Sequence, residues 1–136
     1  MFGREVADGM THRVVFTQEG GNWTVVAPDD PPAHSWGPTL ESAAAHIKES
    51  IALVRDLPAG SEEKMTLVPE FILEQGDGDV FARALTARRA LWASQAEADD
   101  ALKEAVAEGR RLGLSLRDIA AMSGVSHQRV NQLAGR

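Results

Sequence analysis

The sequence predicts an α+β protein: a small β-β-β-α-β N-terminal domain at residues 12–75, then a long connecting helix leading into an all-α C-terminal domain, 76–136, with a helix-turn-helix at 115–134. Three observations predict it. Apolar residues alternate with period two between Val14 and Ala27. From Leu40 onward they recur at three- and four-residue spacing. The closing stretch SLRDIAAMSGVSHQRVNQLA carries the small-residue, glycine and valine spacing of two crossed helices. A chain of 136 residues has room for one ordinary domain or two small ones. Residues 1–11 are expected to be a flexible N-terminal extension, with Met10 as an alternative start.

In HRVVFTQEGGNWTVVAPDD, Val14 and Phe16 mark one face of a first strand, and Trp23, Val25 and Ala27 mark one face of a second. Gly20 and Gly21 between them suit a two-residue hairpin turn, which needs positive φ at both positions. Pro31, Pro32 and Pro38 forbid helix and leave room for only a short edge strand around His34 to Trp36. Thr39 can cap a helix whose stripe of Leu40, Ala43, Ala44, Ile47, Ile51, Val54 and Leu57 would lie on the sheet. Pro58-Ala59-Gly60 ends that helix. MTLVPEFIL supplies a further strand, in which Pro69 requires an edge position or a strand end. The expectation is one helix on a small antiparallel sheet.

Past the glycine-interrupted QGDGD, a helical pattern runs unbroken from about Val80 to Leu112, which would span roughly 50 Å. Val80, Ala84, Ala87, Leu91, Gln95, Ala98, Leu102, Ala105, Gly109 and Leu112 follow a four-three seam. Its alanines, with Gln95 and Gly109, bury too little area for a stable isolated zipper. Phe81 and Trp92 are read as packing residues. Ser115 caps the next helix, with Asp118 three residues on, and Leu116, Ile119 and Ala120 form its inner face. Gly124 supplies a left-handed turn, Val125 plugs the corner, Ser126 caps a second helix, and Val130 and Leu133 pack it back. With Val130 inward and about 100° per residue, His127, Gln128, Asn131 and Gln132 fall on the outward arc and Arg129 on a flank.

The chain's net charge of −6 conceals an asymmetry. Up to Gly78 the balance is 5 − 13 = −8; from Asp79 onward it is 9 − 7 = +2; and from Gly109 the bases oppose only Asp118. An acidic module precedes one whose far end is basic, and only that end needs to meet phosphate. Amide side chains make bidentate bonds to adenine in the major groove, so Gln128 and Asn131 lead the candidates for base readout, followed by His127 and Gln132. Ser126, Arg110, Arg111, Arg117, Arg129 and Arg136 are the candidates for phosphate contacts, which position a protein without reading sequence. A lone reader helix touches few base pairs, so a homodimer or higher homo-oligomer on an inverted-repeat duplex is expected.

Other chemistries find little support. Cysteine is absent, so there are no disulfides and no thiolate metal sites. The histidines His12, His34, His46 and His127 are scattered, with no pair at metal-ligand spacing. Asp29 and Asp30 are adjacent, so their carboxylates would point apart and could not share a proton or clamp a metal. No GxSxG, GxGxxG or phosphate loop occurs. The expectation is a protein without catalytic set, metal or cofactor. The opening MFGREVADGMT places Arg4, Glu5 and Asp8 where a signal peptide needs an apolar run, and no segment approaches membrane-spanning length. A soluble, cytoplasmic protein with no membrane partner is expected.

The stretch GGNWTVVAPDDPPAHSWGPTLESAAAHIKESIAL resembles the N-terminal domain of HicB-type antitoxins. Pro28, Asp29, Pro31, Gly37, Thr39, Leu40, Glu41 and Ala43 match that family's pattern without a gap, while Asp30, Pro32 and Pro38 depart from its usual leucine, glycine and aspartate. The resemblance covers His12 to Leu73. It implies a partial ribonuclease-H-like fold and a partner, a small basic HicA-type ribonuclease toxin covered by this domain. Asp29, Asp30 and Glu41 are the acidic residues that would suit its basic surface. With the reader helix, the resemblance implies a type II antitoxin that also represses its own operon. The alternative is a free-standing helix-turn-helix regulator whose N-terminal domain dimerises or binds another ligand.

Overall fold

In the computed structural model, which describes residues 1–3, 10–29 and 31–135, β1 (Thr11–Glu19) and β2 (Asn22–Ala27) form the hairpin, with φ of 54° at Gly20 and 83° at Gly21. β3 (Ala33–Gly37) pairs antiparallel with β2, and β4 (Thr66–Ile72) pairs with β1, in the order β3-β2-β1-β4. The β1–β4 pairing is parallel, with Thr11 to Thr17 alongside Thr66 to Ile72, so the sheet is mixed rather than antiparallel as expected. The reason is connectivity. β3 leads through a helix to β4, and a strand-helix-strand crossover returns the chain in the direction it left.

The chain divides into two compact units, Met1–Arg89 and Ala90–Arg136. In the first, α1 (Leu40–Val54) covers one face of the sheet, and Ile47 and Ile51 meet Val14, Phe16, Val25 and Leu67 in a dry core. Burying each such side chain stabilises by about 1.5–3 kcal/mol. The Thr39 hydroxyl accepts from the Ser42 N–H at 3.1 Å and the Ser42 hydroxyl accepts from the Thr39 N–H at 3.2 Å, a reciprocal cap that satisfies two otherwise orphaned donors. The helix stops a turn before Leu57, where Asp56 takes φ of 52°. Val54, expected in the core stripe, is therefore left 43% exposed, and Ala52 is buried in its stead.

Residues 1–3 depart from the expected flexible extension. The Phe2 ring packs edge-on against Phe16 with centroids 5.6 Å apart, and the Phe2 carbonyl accepts the Leu67 N–H at 2.6 Å. That bond is one of several closing the outer rim of β4. The Arg89 guanidinium donates to the Leu67 carbonyl at 2.6 Å, although burial pulls the Arg89 pKa below its ordinary value. Pro69 has no N–H to offer and sits in this edge strand, as its chemistry requires. Gly78 lies so close to the Phe71 carbonyl that any Cβ would overlap it.

The second unit is helical. α2 (Asp79–Arg111) runs without a break, and its C-terminal part packs with α3 (Leu116–Ser123) and α4 (His127–Ala134). Leu102, Val106, Ile119, Ala120, Val130 and Leu133 are buried together. The expected four-three seam holds only at Leu102 and Gly109; Val106 is buried where Ala105 was expected, and Val80, Leu91 and Leu112 are 50%, 47% and 57% exposed. Burial follows close approach here. A Cβ on Gly109 would come within 2.5 Å of the Ile119 side chain, so glycine is what lets α3 reach α2. Gly113, at φ of 76°, ends α2: its N–H bonds the Arg110 carbonyl and the Leu114 N–H bonds the Gly109 carbonyl, at 3.1 and 2.9 Å. Among the described residues, no helix is long and apolar enough to cross a membrane.

Candidate nucleic-acid interface

Three residues join α3 to α4. Gly124 takes φ of 71° and Val125 tucks in behind it, its N–H bonded to the Ala120 carbonyl at 3.1 Å. Ser115 and Ser126 cap the two helices, accepting from the Asp118 and Arg129 N–H groups, each at 3.1 Å. The Ser126 hydroxyl, a candidate phosphate contact, is thus already an acceptor in a cap. Val130 and Leu133 turn inward and are buried. His127, Gln128, Asn131 and Gln132 are all exposed, so the four residues assigned to base readout share the open face of one two-turn helix that carries no carboxylate.

The cations are placed differently from what charge alone suggests. Arg129 is half-buried and its Nη2 donates to an Asp99 carboxylate oxygen on α2 at 2.8 Å. Arg110 Nη1 donates to the Ala134 carbonyl at 2.9 Å, at the C-terminus of α4, where orphaned carbonyls and the negative end of the helix dipole attract a cation. Arg111 Nε donates to Glu108 at 2.9 Å; this bond raises the Arg111 pKa and lowers that of Glu108. Arg117 is exposed on α3 and makes no ion pair among the described residues. Arg136 lies outside the described residues. Two of the expected phosphate contacts, Arg129 and Arg110, therefore tie α4 to α2, and a third, Arg111, is paired within α2 itself.

The acidic candidates of the N-terminal unit do not converge. Asp29 follows β2 and faces Arg13 at 3.7 Å in an exposed pair of little energetic weight. Glu41 lies past the other end of β3, in the first turn of α1, and borders a groove of about 440 Å³ with Lys48, Glu49, Glu62 and Glu63. Asp30 lies outside the described residues. His12, on the core face of β1, has a buried Nε2 without a partner among the described residues. Burial, and next the Arg55 charge, lower its pKa, against an opposing pull from Asp29. Among the described residues no cluster of three or more His, Asp or Glu could hold a metal ion.

Sequence reasoning missed Asp99 and Gly113, and placed Gly109 on the seam without its role in the approach of α3. Gly113 had a readable signal, a glycine directly after Arg110-Arg111-Leu112 at a helix end. Asp99 had none, because its role arises only when α4 meets α2. No protein-family model matches this chain, and no curated protein or solved structure matches it either.

Proposed function

We propose that the C-terminal unit is a helix-turn-helix that lays α4 in the major groove of duplex DNA. We propose further that the whole chain is a cytoplasmic antitoxin of HicB kind, whose N-terminal unit covers a small basic ribonuclease toxin of HicA type while DNA binding represses the operon for both. The observation that carries the reading is the open face of α4, where His127, Gln128, Asn131 and Gln132 stand together. Gln128 and Asn131 have the paired donor and acceptor that adenine's major-groove edge matches. Arg117 is the foremost phosphate contact, and the remaining N–H donors of Arg129 supply a second. The Pro28-Asp29-x-Pro31 loop supports the toxin-binding half.

Footprinting on the DNA upstream of the protein's own gene tests the first half. Protection of an inverted repeat with half-sites about 34 Å apart is expected, and no protection at low ionic strength refutes DNA reading. Capture from the native host tests the second half. A small basic protein that arrests growth when made alone should copurify, and its absence refutes the antitoxin role while leaving DNA reading untouched.

A further inference from the structure

The eight residues of α4 take their inward direction from Val130 and Leu133. At about 100° per residue, measured from midway between those two, Gln128 points almost directly away from the core, and Asn131 and Gln132 lie about 50° to either side. His127 and Arg129 stand nearer the margins, about 90° and 110° from the outward direction. The three side chains nearest the centre of the exposed arc are therefore all carboxamides. Such a group holds a donor and an acceptor in one plane. Adenine offers the complement on its major-groove edge, an N7 acceptor beside an N6 donor, whereas guanine offers two acceptors, N7 and O6.

Guanine's commonest partner is the fork of an arginine or the ammonium of a lysine. α4 carries one such cation, Arg129, and its Nη2 is drawn toward α2 by the Asp99 carboxylate at 2.8 Å. Arg110 is bonded to the Ala134 carbonyl at the far end of the helix. Cytosine's N4 donor calls for a carboxylate, and α4 has none. A G·C pair in either orientation thus meets no matched group at the centre of this arc. We infer that the half-sites α4 recognises are specified by A·T pairs. The inference rests on the DNA-reading proposal above and names the class of duplex that is read. Along the helix axis Gln128 is about 4.5 Å from Asn131 and about 6 Å from Gln132, against a rise of about 3.4 Å per base pair. The two or three adenines accordingly fall within about two base steps of one another, on either strand.

The test is selection by the full chain from a library of random duplexes, followed by titration of the selected site. Each selected half-site should hold two or three fixed A·T pairs within about two base steps, and changing any one of them to G·C should weaken binding about tenfold. Replacing those adenines with 7-deazaadenine removes the N7 acceptor and keeps the base pair, so binding should fall several-fold if the carboxamides read the major groove. Unchanged affinity there would assign the preference to duplex shape and overturn the inference. Gln128→Arg, at an exposed position, should turn the preference at one pair from adenine to guanine and leave the other pairs as they were. Selected half-sites fixed as G·C where α4 binds, or a folded Gln128→Arg that keeps the adenine preference at every pair, overturn the inference while leaving DNA reading in place. A library from which no sequence is enriched overturns DNA reading itself, and this inference with it.

Discussion

The N-terminal unit rests on large side chains, among them Phe16, Ile47, Ile51, Met65 and Leu67, sealed between a sheet and a helix. The C-terminal unit has a leaner core, in which Ala120 is small and Gly109 leaves only the space that Ile119 fills, and it leans more on backbone caps and charged contacts. Ser115 and Ser126 start its helices, Gly113 and Gly124 end two of them, Arg110 closes the end of α4, and Asp99 holds Arg129. The contrast teaches that counting basic residues overstates a nucleic-acid surface. In a small unit the arginines nearest α4 are also the nearest means of holding it.

The contrast can be broken most sharply in the N-terminal core. Phe16→Ala should cost about 3–5 kcal/mol, read as a lowered first transition in chemical unfolding, with the helical unit's transition unmoved. Gly109→Ala should cost about 1–3 kcal/mol by forcing a methyl into Ile119. Circular dichroism should place that loss in the helical unit alone, and equal loss in both units would erase the distinction drawn above. Asp99→Asn should change stability by no more than about 1 kcal/mol, since the pair is partly exposed. It should also steepen the salt dependence of DNA binding by about one unit of slope as Arg129 is released to a phosphate.

The smallest effect concerns pH. The folded-state pKa of His12 lies below 6.5, so the unfolded chain binds this proton more readily than the folded one. The N-terminal unit should have its full stability from this group above pH 6.5. It should lose it as pH falls from 6.5 through the lowered folded pKa, and change no further from this source below that. His12→Asn should flatten this part of the pH profile, and an unaltered profile would show that the orphaned Nε2 has no bearing on stability.

Much of this was legible because its causes are local. The hairpin follows from Gly20-Gly21, α1 from the Thr39 cap and its stripe, and the α3–α4 pair from Ser115, Gly124 and Ser126, each a signal contained within a few residues. The antiparallel sheet was misjudged for a different reason. The direction of β4 depends on which strand it finds, and Thr66 to Ile72 says nothing by itself about lying beside β1, although the strand-helix-strand order did carry that information. The four exposed residues of α4 proposed for base readout could be placed from a helical wheel because a two-turn helix has one inside, fixed by Val130 and Leu133. The fates of Arg129 and Arg110 could not, since Asp99 and the Ala134 carbonyl are thirty and twenty-four residues away in the chain.

The central claim is that α4 reads bases, and the most direct test compares two duplexes at one salt concentration. One carries the sequence upstream of the protein's own gene and the other a scrambled sequence of equal length and composition, each titrated with the unaltered protein, Gln128→Ala and Asn131→Ala. The account predicts clear preference for the upstream duplex and a loss of about 1–3 kcal/mol there for each variant, with little change on the scrambled duplex. Equal affinity of the unaltered protein for both duplexes, or equal losses on both for the variants, would contradict it.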